Sequence, residues 1–88
     1  MKKMWFDEAW DDYEYWDEKD KKVVKRIKAL LKDIERNGNK VGIGDPEPLK
    51  HELSGYYSRK INDEHRLVYC RGDEVLKIIS CRFHYKRK

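Results

Sequence analysis

Apolar positions recur at two different spacings along this 88-residue chain, and the change of spacing divides it. In the first part the spacing is three and four. Phe6, Ala9, Trp10, Tyr13 and Trp16 fall on one helical stripe, and Val23, Val24, Ile27, Leu30, Leu31 and Ile34 fall on a second. Asp7 is expected to cap the first helix and Asp20 the second, while Asn37-Gly38 ends it. The link between the stripes is short, so the pattern predicts a helical hairpin preceded by a short strand over residues 3–6. The aromatic stripe is read as core, with Asp11, Asp12, Glu14, Asp17 and Glu18 mostly on the outer face.

Residues 37–48 hold Gly38, Gly42, Gly44, Pro46 and Pro48, which block regular structure, so a loop is expected there. It is either a rim to a site or a plain connector. From Leu53 onward the spacing becomes two. Strands are expected over residues 55–61, 65–71 and 75–85, turning at Asn62-Asp63-Glu64 and at Gly72-Asp73. Alternation sets Leu67 and Tyr69 against Arg66 and Val68, and Tyr57 and Ile61 against Tyr56, Ser58 and Lys60. In the last strand it sets Ile79, Cys81 and Phe83 against Ser80, Arg82 and His84. One sheet face can then bury against the helices, while the other presents Lys60, Arg66, Arg82 and His84 together.

Composition narrows the class. The chain is short enough for one domain over residues 1–88, and its 39% hydrophobic content suffices for a core despite 43% charged residues. The net charge of +4 is unevenly spread: residues 1–20 carry eight acids and three lysines, and residues 21–36 carry seven bases and two acids. That distribution suits an anionic partner bound on one side. Lys21, Lys22, Lys25, Lys28 and Lys32 are either phosphate contacts or a solubilising face. Cys70 and Cys81 are too few and too far apart for a disulfide framework or a zinc site, and no HExxH or CxxC spacing is present, so neither metal nor cofactor is expected. The glycines of the loop are not followed by GK[ST], so they form no phosphate loop. The opening turns acidic at once, and no apolar run is long enough for a signal peptide or a membrane span, so a cytoplasmic protein is expected.

The chemistry-bearing residues concentrate between Asp45 and Tyr69 and again just before the C-terminus. Four segments there and upstream carry a resemblance: WDDYEYW at 10–16, PEPLKHELSG at 46–55, EHRLVY at 64–69 and CRFHY at 81–85. In this order and at these spacings the chain resembles the Txe/YoeB family of toxin–antitoxin mRNA interferases, within the RelE/ParE-like superfamily. The resemblance implies an α+β fold, a twisted, mainly antiparallel sheet with two N-terminal helices on one face and an RNA cleft on the other. It implies a ribosome-associated endoribonuclease that blocks translation, a YefM-like antitoxin covering the cleft, and a homodimer. Carried over by motif, Glu47 takes the general-base position, Arg66 the phosphate-stabilising position, His84 the general-acid position and Tyr85 the supporting C-terminal aromatic. Lys50 matches a basic cleft position. Lys60 stands where the family often has arginine, which keeps charge but not bidentate geometry. Asp45 replaces a residue that is often basic, and residues 86–88 extend beyond the usual end of the family.

Elementary chemistry agrees with that set. Cleavage of RNA by its own 2′-OH needs a base, an acid and a cation at the phosphorane, and Glu47, His84 and Arg66 offer one of each. Arg82 and the ring of Tyr56 are expected to add phosphate and base contacts. Two other functions fit the charge pattern: a ParE-like, non-enzymatic inhibitor of gyrase, and a basic RNA-binding module. Neither needs an acid–base pair. His51 is expected to support the loop, and His65 to orient the hairpin or cap its turn.

Overall fold

The computed structural model describes residues 1–83 of the chain. The order of elements is β1 (Lys2–Trp5), α1 (Asp7–Lys19), α2 (Lys21–Asn37), β2 (Glu47–Pro48), a 3-10 turn (His51–Leu53), β3 (Tyr57–Lys60), β4 (Arg66–Arg71) and β5 (Val75–Ser80). The five strands form one mixed sheet in the order β1-β5-β4-β3-β2. Only the β1–β5 pairing is parallel, Lys2 opposite Val75 through Trp5 opposite Ile78. The expected α+β architecture is therefore present, a mainly antiparallel sheet with a helical hairpin on one face.

α2 is the better-behaved helix. All six of its predicted apolar positions are buried. Ile27, Leu30 and Ile34 are completely so, each worth about 1.5–3 kcal/mol of transfer free energy. Asp20 caps it as expected, its Oδ1 accepting from the Lys22 N–H at 3.0 Å. At the other end Gly38 takes φ +90°, and its N–H closes on Ile34 O at 2.8 Å.

α1 departs from its stripe in two ways. Phe6, not Asp7, occupies the cap position, with no side-chain cap; Asp7 and Glu8 lie inside the first turn, still at the positive end of the dipole. The buried line is Ala9, Asp12 and Trp16. Phe6 and Trp10 remain 40% and 44% exposed. Asp12 is turned inward because it has an interior partner: its carboxylate accepts the Cys81 N–H at 2.9 Å. Trp16 Nε1 donates to the Cys81 carbonyl at 2.8 Å, so α1 satisfies both backbone groups of that residue.

That arrangement follows from where β5 stops. The strand was expected to run on to Tyr85, but it ends at Ser80. Val68 pairs with Ser80 while Tyr69 pairs with Ile78, so Ile79 is an extra residue in a bulge. The bulge advances the alternation by one. Ile78 and Cys81, not Ile79 and Cys81, join the helix-packed core with Leu67, Tyr69 and Leu76. Arg82 and Phe83 continue outside the ladder.

Candidate functional site

Glu47, Ser58 and Arg66 come together through strand register. β2 pairs Glu47 with Ser58, and β3 pairs Ser58 with Val68 and Lys60 with Arg66. Because Leu67 and Tyr69 face the helices, Arg66 and Val68 face away from them, as alternation requires. Arg66 is buried, and its Nε donates to Ser58 Oγ at 2.9 Å. Its Nη2 points toward the Asp45 carbonyl at 3.3 Å and Glu47 Oε1 at 3.5 Å, the latter a loose ion pair rather than a tight hydrogen bond. Nη1 donates to none of the described residues. The Glu47 side chain is 52% exposed. A carboxylate at the rim and a guanidinium held by its inner edge thus share one surface.

The other cations expected in the cleft occupy different positions. Lys60 lies beside Arg66, its Nζ 3.6 Å from Asp45 Oδ2 and half exposed. Lys50 is exposed just ahead of the 3-10 turn, and its carbonyl accepts the Leu53 N–H at 3.1 Å. Tyr56 is half-buried, with its backbone tied to Leu49 and Leu53. Tyr57 lies on the opposite face, its ring 6.1 Å from that of Tyr69. Arg82 does not stand on the open sheet face with Arg66. Its guanidinium sits 3.6 Å over the Tyr15 ring of α1 and 4.7 Å over Phe83. It lines a separate cleft with Trp16, Asp63, Glu64 and His65. The physical reason is the early end of β5, which frees the backbone at Arg82 from the sheet plane. His84 and Tyr85 lie outside the described residues.

The segment between α2 and β2 is neither a bare connector nor a loose rim; a residue unremarked in the sequence organises it. Arg59 is completely buried. Its Nε donates to Tyr69 Oη at 2.9 Å, its Nη1 to Asp33 and the Ile43 carbonyl, and its Nη2 to the Gly38 and Val41 carbonyls, both at 2.8 Å. A buried guanidinium with these donors engaged avoids the cost of an unpaired interior charge. The Arg59 hydrogen bond holds the Asp33 carboxyl below its ordinary value, against the opposing effect of burial. Burial pushes the Tyr69 hydroxyl up, with Arg59 acting in the other direction. Asp33 also accepts the Ile43 N–H at 3.0 Å. The signal lay in the strand pattern: Arg59 falls between Tyr57 and Ile61 on the inward phase, and an inward cation demands acceptors. The frame matters to the site because the chain leaves it at Gly44, whose carbonyl accepts the Lys60 N–H at 2.7 Å, and runs directly into Asp45 and Glu47.

Among the described residues, no three His, Cys, Asp or Glu side chains gather as a metal site would require, and no helix is long and apolar enough to cross a membrane.

In sequence, the chain is 55% identical over 85 residues to Toxin YoeB of Escherichia coli K12, covering 97% of this chain and all of the relative. In structure it matches the YoeB dimer from Staphylococcus aureus with a TM-score of 0.91 at 53% identity, covering 97% of this chain and 98% of that one. It matches the heterotetrameric YoeB–YefM toxin–antitoxin complex of the same organism with a TM-score of 0.90 at 53% identity, again covering 97% and 98%. The family model for the YoeB-like toxin of bacterial type II toxin-antitoxin systems matches residues 5–85, and the chain belongs to that family.

Proposed function

We propose that the protein, acting as one toxin domain over residues 1–88, is a ribosome-associated endoribonuclease that cuts mRNA and so blocks translation in the cytoplasm. The observation that carries this reading is the Glu47–Arg66 pair on the sheet face away from the helices, with Arg66 fixed from behind by Ser58. Glu47 takes the proton of a ribose 2′-OH, and the 2′ oxygen attacks the adjacent phosphorus. The bond from phosphorus to the 5′ oxygen breaks, and His84 gives that oxygen its proton. The products are a 2′,3′-cyclic phosphate and a 5′-hydroxyl end. Arg66 offers its Nη1 edge to the charge that builds on the phosphorane, where a preorganised cation has its largest effect. Tyr85 supports the cut, Lys50 and Lys60 hold flanking phosphates, and Tyr56 offers a ring for base stacking.

Two protein partners belong to the same proposal. The relatives solved as a YoeB–YefM complex and as a YoeB dimer support a YefM-like antitoxin that covers the cleft, and a homodimer. A surface suited to the second copy lies at Phe6 and Trp10, both partly exposed, beside the Trp5–Trp10 and Trp10–Tyr13 ring contacts at 5.5 and 5.6 Å.

The test is incubation of mRNA with the protein, with and without programmed ribosomes, for wild type, Glu47→Ala and His84→Ala. Wild type is expected to cut and both variants to leave the message intact. Intact RNA under every wild-type condition overturns the nuclease reading. Cutting unaffected by either substitution overturns the assignment of roles.

A further inference from the structure

Beyond Ser80 the chain has left the sheet ladder, yet its backbone is pinned at every second residue. α1 holds both backbone groups of Cys81. Phe83 is held just as fully, by the hairpin between β3 and β4. Its N–H donates to His65 Nδ1 at 2.6 Å, and its carbonyl accepts the Arg66 N–H at 2.8 Å. Phe83 adopts φ +64°, a left-handed conformation uncommon for an aromatic residue, so something outside its local preference must hold it there. The His65 ring is itself immobilised, edge-on to Trp16 with centroids 4.8 Å apart and tilted against Phe83 at 5.6 Å. A ring so placed offers a hydrogen-bond acceptor in one direction only. His65 thus holds the peptide that leads into Phe83, and Arg66 the one that leads from Phe83 into His84.

We propose that His65 is a positioning residue for the C-terminal His84–Tyr85 pair, acting by accepting the Phe83 N–H and so fixing the left-handed turn from which that pair departs. This rests on the nuclease reading, in which His84 is the proton donor. The adjacency is informative. His65 and Arg66 are neighbours in sequence, so the residue that anchors the start of the donor segment and the cation proposed for the phosphorane move as one unit. The residue that precedes the proposed acid is thereby tied to the start of the strand that carries the cation.

Two substitutions separate the acceptor from the ring. His65→Phe keeps an aromatic body between Trp16 and Phe83 but accepts nothing. His65→Asn offers an oxygen close to the place of Nδ1. In RNA cleavage, His65→Phe is expected to lower turnover by roughly 10- to 100-fold, the loss that follows from a displaced catalytic group, while RNA affinity changes by less than about twofold. His65→Asn is expected to recover most of the turnover. Amide hydrogen exchange reads the clamp without RNA: the Phe83 amide is protected in wild type and His65→Asn and exchanges freely in His65→Phe. Wild-type turnover in His65→Phe overturns the proposal. So does a failure of His65→Asn to recover turnover while its Phe83 amide stays protected, or an unprotected Phe83 amide in wild type. A protected Phe83 amide in a wild-type protein that cuts no RNA would instead remove the nuclease reading, and the positioning role with it.

Discussion

Arg66 is bound more closely to Ser58 than to Glu47: its Nε lies 2.9 Å from the serine hydroxyl, and its Nη2 3.5 Å from the carboxylate. The hydroxyl, completely buried, is thus the fixed point against which the guanidinium is aimed. Ser58→Ala leaves a buried, charged donor without its partner, which costs about 1–3 kcal/mol. The variant is expected to fold with a lowered thermal midpoint and to cut RNA roughly tenfold more slowly, as a loosened catalytic cation does. Thermal denaturation together with a cleavage assay checks both. Unchanged cleavage would mean that Arg66 needs no such support.

The Arg59–Asp33 pair predicts how the fold responds to acid. Hydrogen bonding from Arg59 keeps the Asp33 carboxyl below its ordinary value of 3.8. Because the folded value is depressed, the resulting stabilisation is fully present above the unfolded value and is lost as pH falls through the folded one. Glu35 is shifted in the same direction, chiefly by its hydrogen bond from Lys3. Urea midpoints measured from pH 7 down to about pH 3 should therefore fall below about pH 4 in wild type. In Asp33→Asn the unfolding free energy should start lower, by about 1–3 kcal/mol for the loss of a charged partner to the buried Arg59, and fall less steeply with acid. A parallel acid slope in the variant would place the acid sensitivity elsewhere.

Gly42 is the tightest point of the frame around Arg59. It sits at φ +133°, and a Cβ there would stand 1.8 Å from Asp33 Oδ2 and 2.6 Å from Arg59 Nη1. Gly42→Ala combines backbone strain with a collision against a buried ion pair, so a loss of about 3 kcal/mol or more is expected. Gly38, also at positive φ but with nothing within 4 Å of an added Cβ, is the control: Gly38→Ala should cost about 1–3 kcal/mol from backbone strain alone, without the collision. Denaturant unfolding of the two variants side by side checks the difference.

Trp10 tests the proposed pairing of two copies. It is the most exposed member of the Trp5–Trp10–Tyr13 ring group. A charge placed there opposes burial against a twin without disturbing the core. Trp10→Glu is expected to shift the sedimentation of the protein from dimer to monomer, with mRNA cleavage retained if each copy carries a whole site. A dimer that survives the substitution would move the interface to another face.

Where the sequence succeeds and where it fails has one physical explanation. α2, its Asp20 cap and the two faces of β3 and β4 are legible because near neighbours decide them: an apolar stripe at helical spacing, a side chain reaching two residues ahead, strict alternation. The inward turn of Asp12 depends on the Cys81 N–H, which lies 69 residues away. The role of Arg59 depends on carbonyls of a loop with no pattern of its own. The bulge at Ile79 becomes visible only when β5 is paired with β4, and Arg82 leaves the face that alternation gives it because β5 ends at Ser80. In the candidate site, Glu47 and Arg66 are brought together by register across three strands. Motif order points to both residues. Their anchor, Ser58, has no chemical label in the sequence and becomes visible only once the strands are paired.

The single parallel pairing among the described residues, β1 against β5, joins the first of the five strands to the fifth. During synthesis β1 emerges at the start and then has no mate until residues 75–78 exist. The Asp12 and Trp16 contacts to Cys81 wait just as long. Such long-separation closure is slow relative to the local helical hairpin, which can form early. A product cut short between β4 and β5 would carry Glu47 and Arg66 on a sheet in which β1 and β4 both lack their β5 partner. For a chain proposed to attack the message on the ribosome, this ties harm to completion: an unfinished copy has no competent site, and the ribosome that makes the protein is spared until its own work is done.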